Sequence, residues 1–256
     1  MGEPLLKVSA LNKSFGGVRA VDDFHMKLEA GSFTGLIGPN GAGKTTVLNL
    51  LSGTARPSSG SIELNGKELR DSRPEVFAAQ GIARTFQNIR LFKQLSVLDN
   101  VLASLHSHSD RNLWSCLVRT ASFRKRELSI HEKAWELLHT FGLEQHADEA
   151  AVHLSYGDQR KLEIVRALAT SPKLQLLDEP AAGMNRAEGQ QLVRLLVELR
   201  GKSELAFVLI EHDMDIIMAL CDTIHVLDYG RKIFDGSPSE VRSSQTVREA
   251  YLGVEE

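Results

Sequence analysis

The chain has 256 residues, enough to bury a large core as one domain or as a domain with a subdomain. Its 30 basic and 33 acidic residues leave a formal charge of −3, which argues against a nucleic-acid binder working by bulk charge. Cys116 and Cys221 show no metal-ligand spacing and read as free thiols of a reducing compartment. Met1–Ala10 carries no apolar leader and no run reaches a membrane span, so a soluble or peripheral protein is expected.

Apolar-rich segments at Leu5–Leu11 and Val18–Leu28, separated by the glycine turn Lys13–Gly17, predict an antiparallel strand pair. Phe15 in that turn offers a flat ring, which serves either to stack on a purine base or to pack under the turn. Phe33–Ile37 then predicts a strand and Thr45–Leu51 a helix. Between them, Gly38-Pro39-Asn40-Gly41-Ala42-Gly43-Lys44-Thr45 fits the phosphate-loop pattern G-x-x-x-x-G-K-[ST]. A strand ending in such a turn aims backbone N–H groups into a concavity, and the helix adds its positive end. Lys44 would reach the β- and γ-phosphates and the Thr45 hydroxyl would ligate Mg²⁺. Ser61–Leu64 followed by Asn65-Gly66 is a hairpin signal.

Gly81–Gln87 predicts a strand leading into the loop Asn88–Leu95. The Gln87 amide is either a solvated loop group or a ligand for Mg²⁺ or the attacking water. From Ser96 to Ala150 the pattern is helical, with one helix through Val97, Val101 and Leu105 and a second from about Ile130 to Phe141. The intervening stretch Ser107–Arg126 is less regular and ends in Arg124-Lys125-Arg126, read as a solvated face. His106, His108, His131, His139, His146 and His153 form no ligand constellation and read as surface or packing residues.

Leu154-Ser155-Tyr156-Gly157-Asp158-Gln159-Arg160 opens the next helix. Ser155 with Asp158 suits a helix start; Ser155 Oγ, the Gly157 N–H and the positive helix end also suit an anion. Leu174–Leu177 is an apolar strand ending in Asp178-Glu179. There Asp178 would hold Mg²⁺ through water and Glu179 would polarise the water that attacks the γ-phosphate, although paired carboxylates also start helices. Asn185 and Glu188 cap a helix running to about Arg200. Leu205–Ile210 is a buried strand ending at Glu211-His212-Asp213, where an imidazole can hydrogen-bond a γ-phosphate. Ile224–Leu227 and Lys232–Phe234 form a hairpin, and two short helices, from Ser237 and from Val247 to Leu252, end the chain.

In this order the motifs resemble the ATP-binding cassette of ABC transporters over essentially the whole chain. The resemblance implies an α/β fold: a P-loop NTPase (RecA-like) core with an antiparallel β subdomain over 1–95 and 171–256, and a helical subdomain over 96–170. It implies that Phe15 stacks on the base, and that Gly38, Asn40, Gly41, Ala42, Gly43, Lys44, Thr45 and Thr46 form the Walker A site for ATP. Gln87 is the Q-loop, Leu154–Gln159 the signature, Asp178 and Glu179 the Walker B pair, Gly183–Asn185 the D-loop and His212 the switch histidine. Mg²⁺ would be held by Thr45, Gln87 and Asp178, and Glu179, His212 and Gln87 would act in catalysis. Ser155 and Gly157 would serve an ATP held by a facing subunit, a copy of this chain or a relative. Two departures stand out: in the signature Tyr156 replaces the usual glycine and Asp158 the usual glutamine or glutamate, and Phe15 replaces the commoner tyrosine, which keeps the stacking face and loses a phenolic hydrogen bond.

Phe15-Gly16-Gly17, Arg84-Thr85-Phe86-Gln87, the Leu113–Arg124 insertion, the signature as it stands and Ala250-Tyr251-Leu252-Gly253 resemble the ATPase subunits of bacterial branched-chain (hydrophobic) amino-acid importers. The urea and short-chain amide importers carry a similar subunit. That resemblance implies two transmembrane permease subunits, an external substrate-binding protein acting indirectly, no nucleic acid, and a peripheral place on the cytoplasmic face of the bacterial inner membrane. Rival expectations are a soluble ABC-type ATPase that remodels nucleic acid, a small-molecule kinase and an exporter component.

Overall fold

A computed structural model describes residues 3–70, 73–106, 121–202 and 204–252. Strands β1 (Leu6–Phe15) and β2 (Val18–Leu28) form the expected antiparallel pair, and β4 (Ser59–Leu64) and β5 (Lys67–Glu68) extend it in the order β2-β1-β4-β5. β1 runs on past Leu11 to Phe15, because register shifts around Leu11, Lys13 and Ser14 keep Lys13, Ser14 and Phe15 paired with β2. The turn is thus reduced to Gly16-Gly17. Asn65 and Gly66, both at positive φ, make the expected hairpin turn between β4 and β5.

The second sheet has the order β10-β9-β3-β8-β7-β6, built from β3 (Phe33–Ile37), β6 (Ile82–Arg84), β7 (Leu174–Asp178), β8 (Ala206–Ile210), β9 (Thr223–Asp228) and β10 (Arg231–Gly236). All its pairings are parallel except β9 with β10. β3, β7 and β8 are buried along their whole length, which is why they read as unbroken apolar runs. Register puts Leu36 and Asp178 both opposite Ile210, so the chain leaves all three strands at one edge of the sheet. That edge is where ligands bind in open parallel sheets.

Two apolar clusters flank this sheet. One joins Leu6, Phe24 and Ile62 of the first sheet to Leu36, Leu176 and Val208 of the second, and includes Val47, Leu48, Leu50 and Leu51 of helix α1 (Lys44–Leu51). The other joins the opposite face, through Phe33, Leu177 and Phe207, to the helices. These are α3 (Val97–His106), α4 (Ala121–Phe141), α5 (Tyr156–Ala169), α6 (Arg186–Lys202) and α7 (Met214–Leu220), with α2 (Pro74–Ala79) and the terminal α8 (Pro238–Ser243) and α9 (Gln245–Leu252) completing the set among the described residues. Each fully buried Leu, Ile or Phe in these clusters stabilises the fold by about 1.5–3 kcal/mol.

Several elements differ from expectation. α4 begins at Ala121 rather than near Ile130, so Arg124, Lys125 and Arg126 are exposed positions on a helix and not part of an irregular stretch. Arg, Lys, Glu and Leu favour helix without needing an apolar stripe, so periodicity does not betray this first half. The strand expected over Gly81–Gln87 shrinks to Ile82–Arg84, with the Thr85 N–H still donating to the Leu176 carbonyl at 3.0 Å. α2 and α7 were not expected. Pro74 at the first turn starts α2, and the Asp213 carboxylate caps α7 through the Asp215 N–H at 2.8 Å. Ser237 and Glu240 form a reciprocal capping box on α8. Trp114, Cys116, His108, most of the 107–126 insertion and Gly253 lie outside the described residues. No described helix is long and apolar enough to cross a membrane.

Candidate active site

The phosphate-loop motif joins β3 to α1. Two of its glycines are required by close backbone approach: a Cβ on Gly38 would lie 2.1 Å from the Leu227 carbonyl oxygen, and one on Gly43 would lie 2.4 Å from that of Ala20. Lys44 is buried, and its ammonium donates to the Gly38 and Pro39 carbonyls at 2.8 and 2.9 Å. Burial pulls its pKa below the usual lysine range, while the charges on Glu179 and Asp178 pull the other way. Asn40, Gly41 and Thr45 are exposed, Thr46 is half-buried and Ala42 is buried. The Phe15 ring is 53% exposed, with the Lys13 ammonium 4.7 Å from its centroid, so a face remains on which a base can stack.

Glu179, one residue beyond β7, gathers the site. Its Oε2 accepts from the Gln87 side-chain amide at 3.0 Å, and its Oε1 lies 2.6 Å from His212 Nε2. Two polar residues, each from the loop that follows a different strand, therefore meet on one carboxylate that follows a third. Glu179 itself has φ +51, a left-handed conformation that a non-glycine residue holds only when its surroundings over-determine it. Its N–H is anchored on the Ile210 carbonyl at 2.9 Å. A cavity of about 800 Å³ opens beside it, walled in part by Ala181, Asn185, Arg194 and His212.

Several residues that the sequence reading left without a role support this junction. Arg84 forms a buried ion pair with Asp178, Nη2 to Oδ2 at 2.9 Å, and its other nitrogen donates to Asn49 Oδ1 at 2.7 Å and Ser52 Oγ at 3.0 Å. Both side chains of the pair are 6% exposed, so removing either charge would strand the other. Glu211 accepts the Ala181 N–H at 2.7 Å and the His212 N–H at 3.2 Å, buckling the turn after Glu179 to the loop carrying His212. Burial pushes the Glu211 carboxyl pKa up against those N–H groups. A buried charge inside an apolar strand, or directly after one, was the only available signal for either residue.

The turn before α5 stands apart. Ser155 is exposed; its hydroxyl accepts the Asp158 N–H at 3.1 Å and donates to Asp158 Oδ2 at 2.8 Å, so within this chain it caps its own helix. Gly157 is buried, and a Cβ there would lie 3.1 Å from the Glu188 carboxylate. Tyr156 lies over Gly183, where a Cβ would come within 2.7 Å of its ring. α5 also grips the loop bearing Gln87. Arg160, 1% exposed, donates to the Phe86 carbonyl at 2.7 Å and to the Gln87 carbonyl, and pairs with Glu163 at 3.1 Å. Glu163 accepts the Arg90 N–H at 3.1 Å and Arg166 donates to the Arg90 carbonyl.

Among the described residues no group of three His, Cys, Asp or Glu side chains could cage a metal unaided.

A phosphate loop at a parallel sheet edge, with strand-end carboxylates, glutamine and histidine converging beside it, defines a P-loop ATPase cassette. The sequence model of the ABC transporter family matches residues 21–182, and that of the branched-chain amino acid ATP-binding cassette transporter matches 231–256. The chain is 41% identical over 253 residues, 99% of each chain, to the high-affinity branched-chain amino acid transport ATP-binding protein LivG of Escherichia coli, and equally to BraF of Pseudomonas aeruginosa. A solved ATP-binding cassette of an ABC transporter, in its ADP conformation, superposes with a TM-score of 0.84 at 31% identity, covering 98% of this chain and all of the other. The chain belongs to the ABC transporter family, as one of its ATP-binding cassettes.

Proposed function

We propose that the chain is the ATP-hydrolysing subunit of an importer of branched-chain, hydrophobic amino acids. The observation that carries the catalytic assignment is the meeting of Gln87 and His212 on Glu179 beside the phosphate loop. The cargo assignment rests on the likeness to LivG and BraF and on the matching C-terminal segment. Backbone N–H groups of Gly41–Thr45 and the Lys44 ammonium would hold the phosphates, with Gly38, Asn40, Ala42 and Thr46 shaping the loop and Phe15 stacked on the base. Thr45, Gln87 and Asp178 would hold Mg²⁺, which when bound neutralises triphosphate charge. Glu179 takes the proton of the attacking water, and His212 holds that carboxylate's orientation and the γ-phosphate.

Ser155, which caps its own helix, and Gly157 would close over the ATP of a second cassette, a copy of this chain or a relative. The groove walled by Arg84, Phe86, Arg90 and Arg166 lies where the loop bearing Gln87 meets α5. It would receive a cytoplasmic helix of one of the two permease subunits at the cytoplasmic face of the membrane, and an external binding protein would deliver cargo to those subunits. Residues 96–170 would move as one lever on the rest.

The test is Glu179→Gln. ATP binding is expected to persist while phosphate release falls on the order of 10²- to 10⁴-fold, measured by binding titration and steady-state hydrolysis. Hydrolysis at the wild-type rate would remove Glu179 from the role of base.

A further inference from the structure

The end of the chain touches the phosphate loop at its first residue. The Gly38 N–H donates to the Tyr251 hydroxyl at 2.8 Å, joining α9 to the loop across most of the sequence. The tyrosine ring lines a groove of about 370 Å³ with Met214 and Met218 of α7, the helix that follows His212, and with Val241 and Val247. Burial pushes the phenol pKa above the usual tyrosine range, so the hydroxyl stays neutral at any working pH. Gly38 is thus held at both ends of its residue: its N–H by Tyr251, its carbonyl by Lys44.

We infer that α9 tethers the phosphate loop, with Tyr251 as a positioning residue that holds the Gly38 amide and thereby sets the affinity for ATP. The inference rests on the reading of Gly38–Thr45 as the ATP site. Binding phosphate requires Lys44 to release the Gly38 and Pro39 carbonyls and turn toward the ligand. The tail's hydrogen bond is then the side-chain hold that remains on Gly38. Without it the N–H is left unpaired at the strand end, the loop samples more conformations, and ATP must order them on binding. The general cassette match ends at residue 182, whereas the branched-chain match spans 231–256 and includes Tyr251. The tether is therefore carried by a segment outside the general cassette match.

The experiment compares the full-length chain with Tyr251→Phe, which keeps the ring and removes only the hydroxyl, and with Lys44→Ala. ATP binding, steady-state kinetics, thermal midpoints and exchange of the Gly38 amide are measured on each. Tyr251→Phe is expected to raise the Kd and KM for ATP about two- to tenfold, the worth of one hydrogen bond, with kcat unchanged, the thermal midpoint lowered by no more than about 4 °C and the Gly38 amide exchanging faster. An unchanged Kd, or a raised Kd with Gly38 exchange unaltered, overturns the tether. A fall in thermal midpoint accompanied by equal losses in KM and kcat also overturns it, because the ring then acts only in packing. If Lys44→Ala binds ATP as well as wild type, the phosphate-loop reading itself fails, an outcome separate from that of Tyr251→Phe.

Discussion

His225 shows how much one side chain can weigh. It lies on β9, 4% exposed, the edge of Phe24 6.0 Å away between ring centroids, and neither ring nitrogen finds a partner among the described residues. Burial, helped by the Lys232 charge and opposed by Asp235, lowers its pKa from 6.5 to about 4. The folded chain keeps the ring neutral over that interval while the unfolded chain takes up a proton. Stability contributed by His225 is therefore complete above pH 6.5 and is lost as pH falls toward 4, by about 3 kcal/mol at roughly 1.4 kcal/mol per pKa unit. Urea midpoints of wild type and His225→Leu at pH 7 and pH 5 check this, the variant being expected to show the smaller drop. A sequence cannot disclose such an environment, since an isolated histidine in an apolar strand looks the same whether its ring is dry or wet. Glu179, Gln87 and His212 stood out as polar residues at or near the end of apolar runs, but only the ordered set of motifs singled them out as one site. That two of them bond the third was not legible, because the strands carrying them are distant in sequence.

At the scale of elements, α5 does two jobs. Its first residues form the turn proposed to meet a facing nucleotide, and its buried side chains Arg160 and Glu163, with the half-buried Arg166, bond the main chain of the loop from Phe86 to Arg90. A shift of α5 must carry Gln87 with it, and with Gln87 the hydrogen bond to Glu179. Arg160→Lys preserves the charge beside Glu163 but loses the planar fork that reaches two carbonyls. It is expected to leave ATP affinity within about twofold and lower kcat about tenfold, one strong hydrogen bond's worth, read from KM and kcat separately. This grip was invisible in the sequence, where Arg160 is one more cation after a helix start. The helix itself was legible from Ser155 and its apolar spacing. α4 was legible only from Ile130 onward, because its earlier residues bury little and so carry no period. α2 and α7 were too short to show a period at all.

For the whole molecule, the proposed function requires a second cassette. Ser155 is exposed with its hydroxyl bonded to Asp158, which leaves it open to the facing nucleotide proposed above. Light scattering on Glu179→Gln is expected to give twice the monomer mass with ATP and Mg²⁺ and the monomer mass without ATP. The layered architecture was readable from the strands and the phosphate loop; the pairing of sheets around α1 was not, since it depends on which faces the apolar residues share. One feature of α5 bears on how such a subunit suits different assemblies. It holds the loop by main-chain carbonyl and amide groups, which any amino acid supplies. On the proposed docking of a membrane subunit at that loop, its side chains can be exchanged to match a new neighbour without slackening these main-chain bonds, so recognition and force transmission can vary independently in the same few residues.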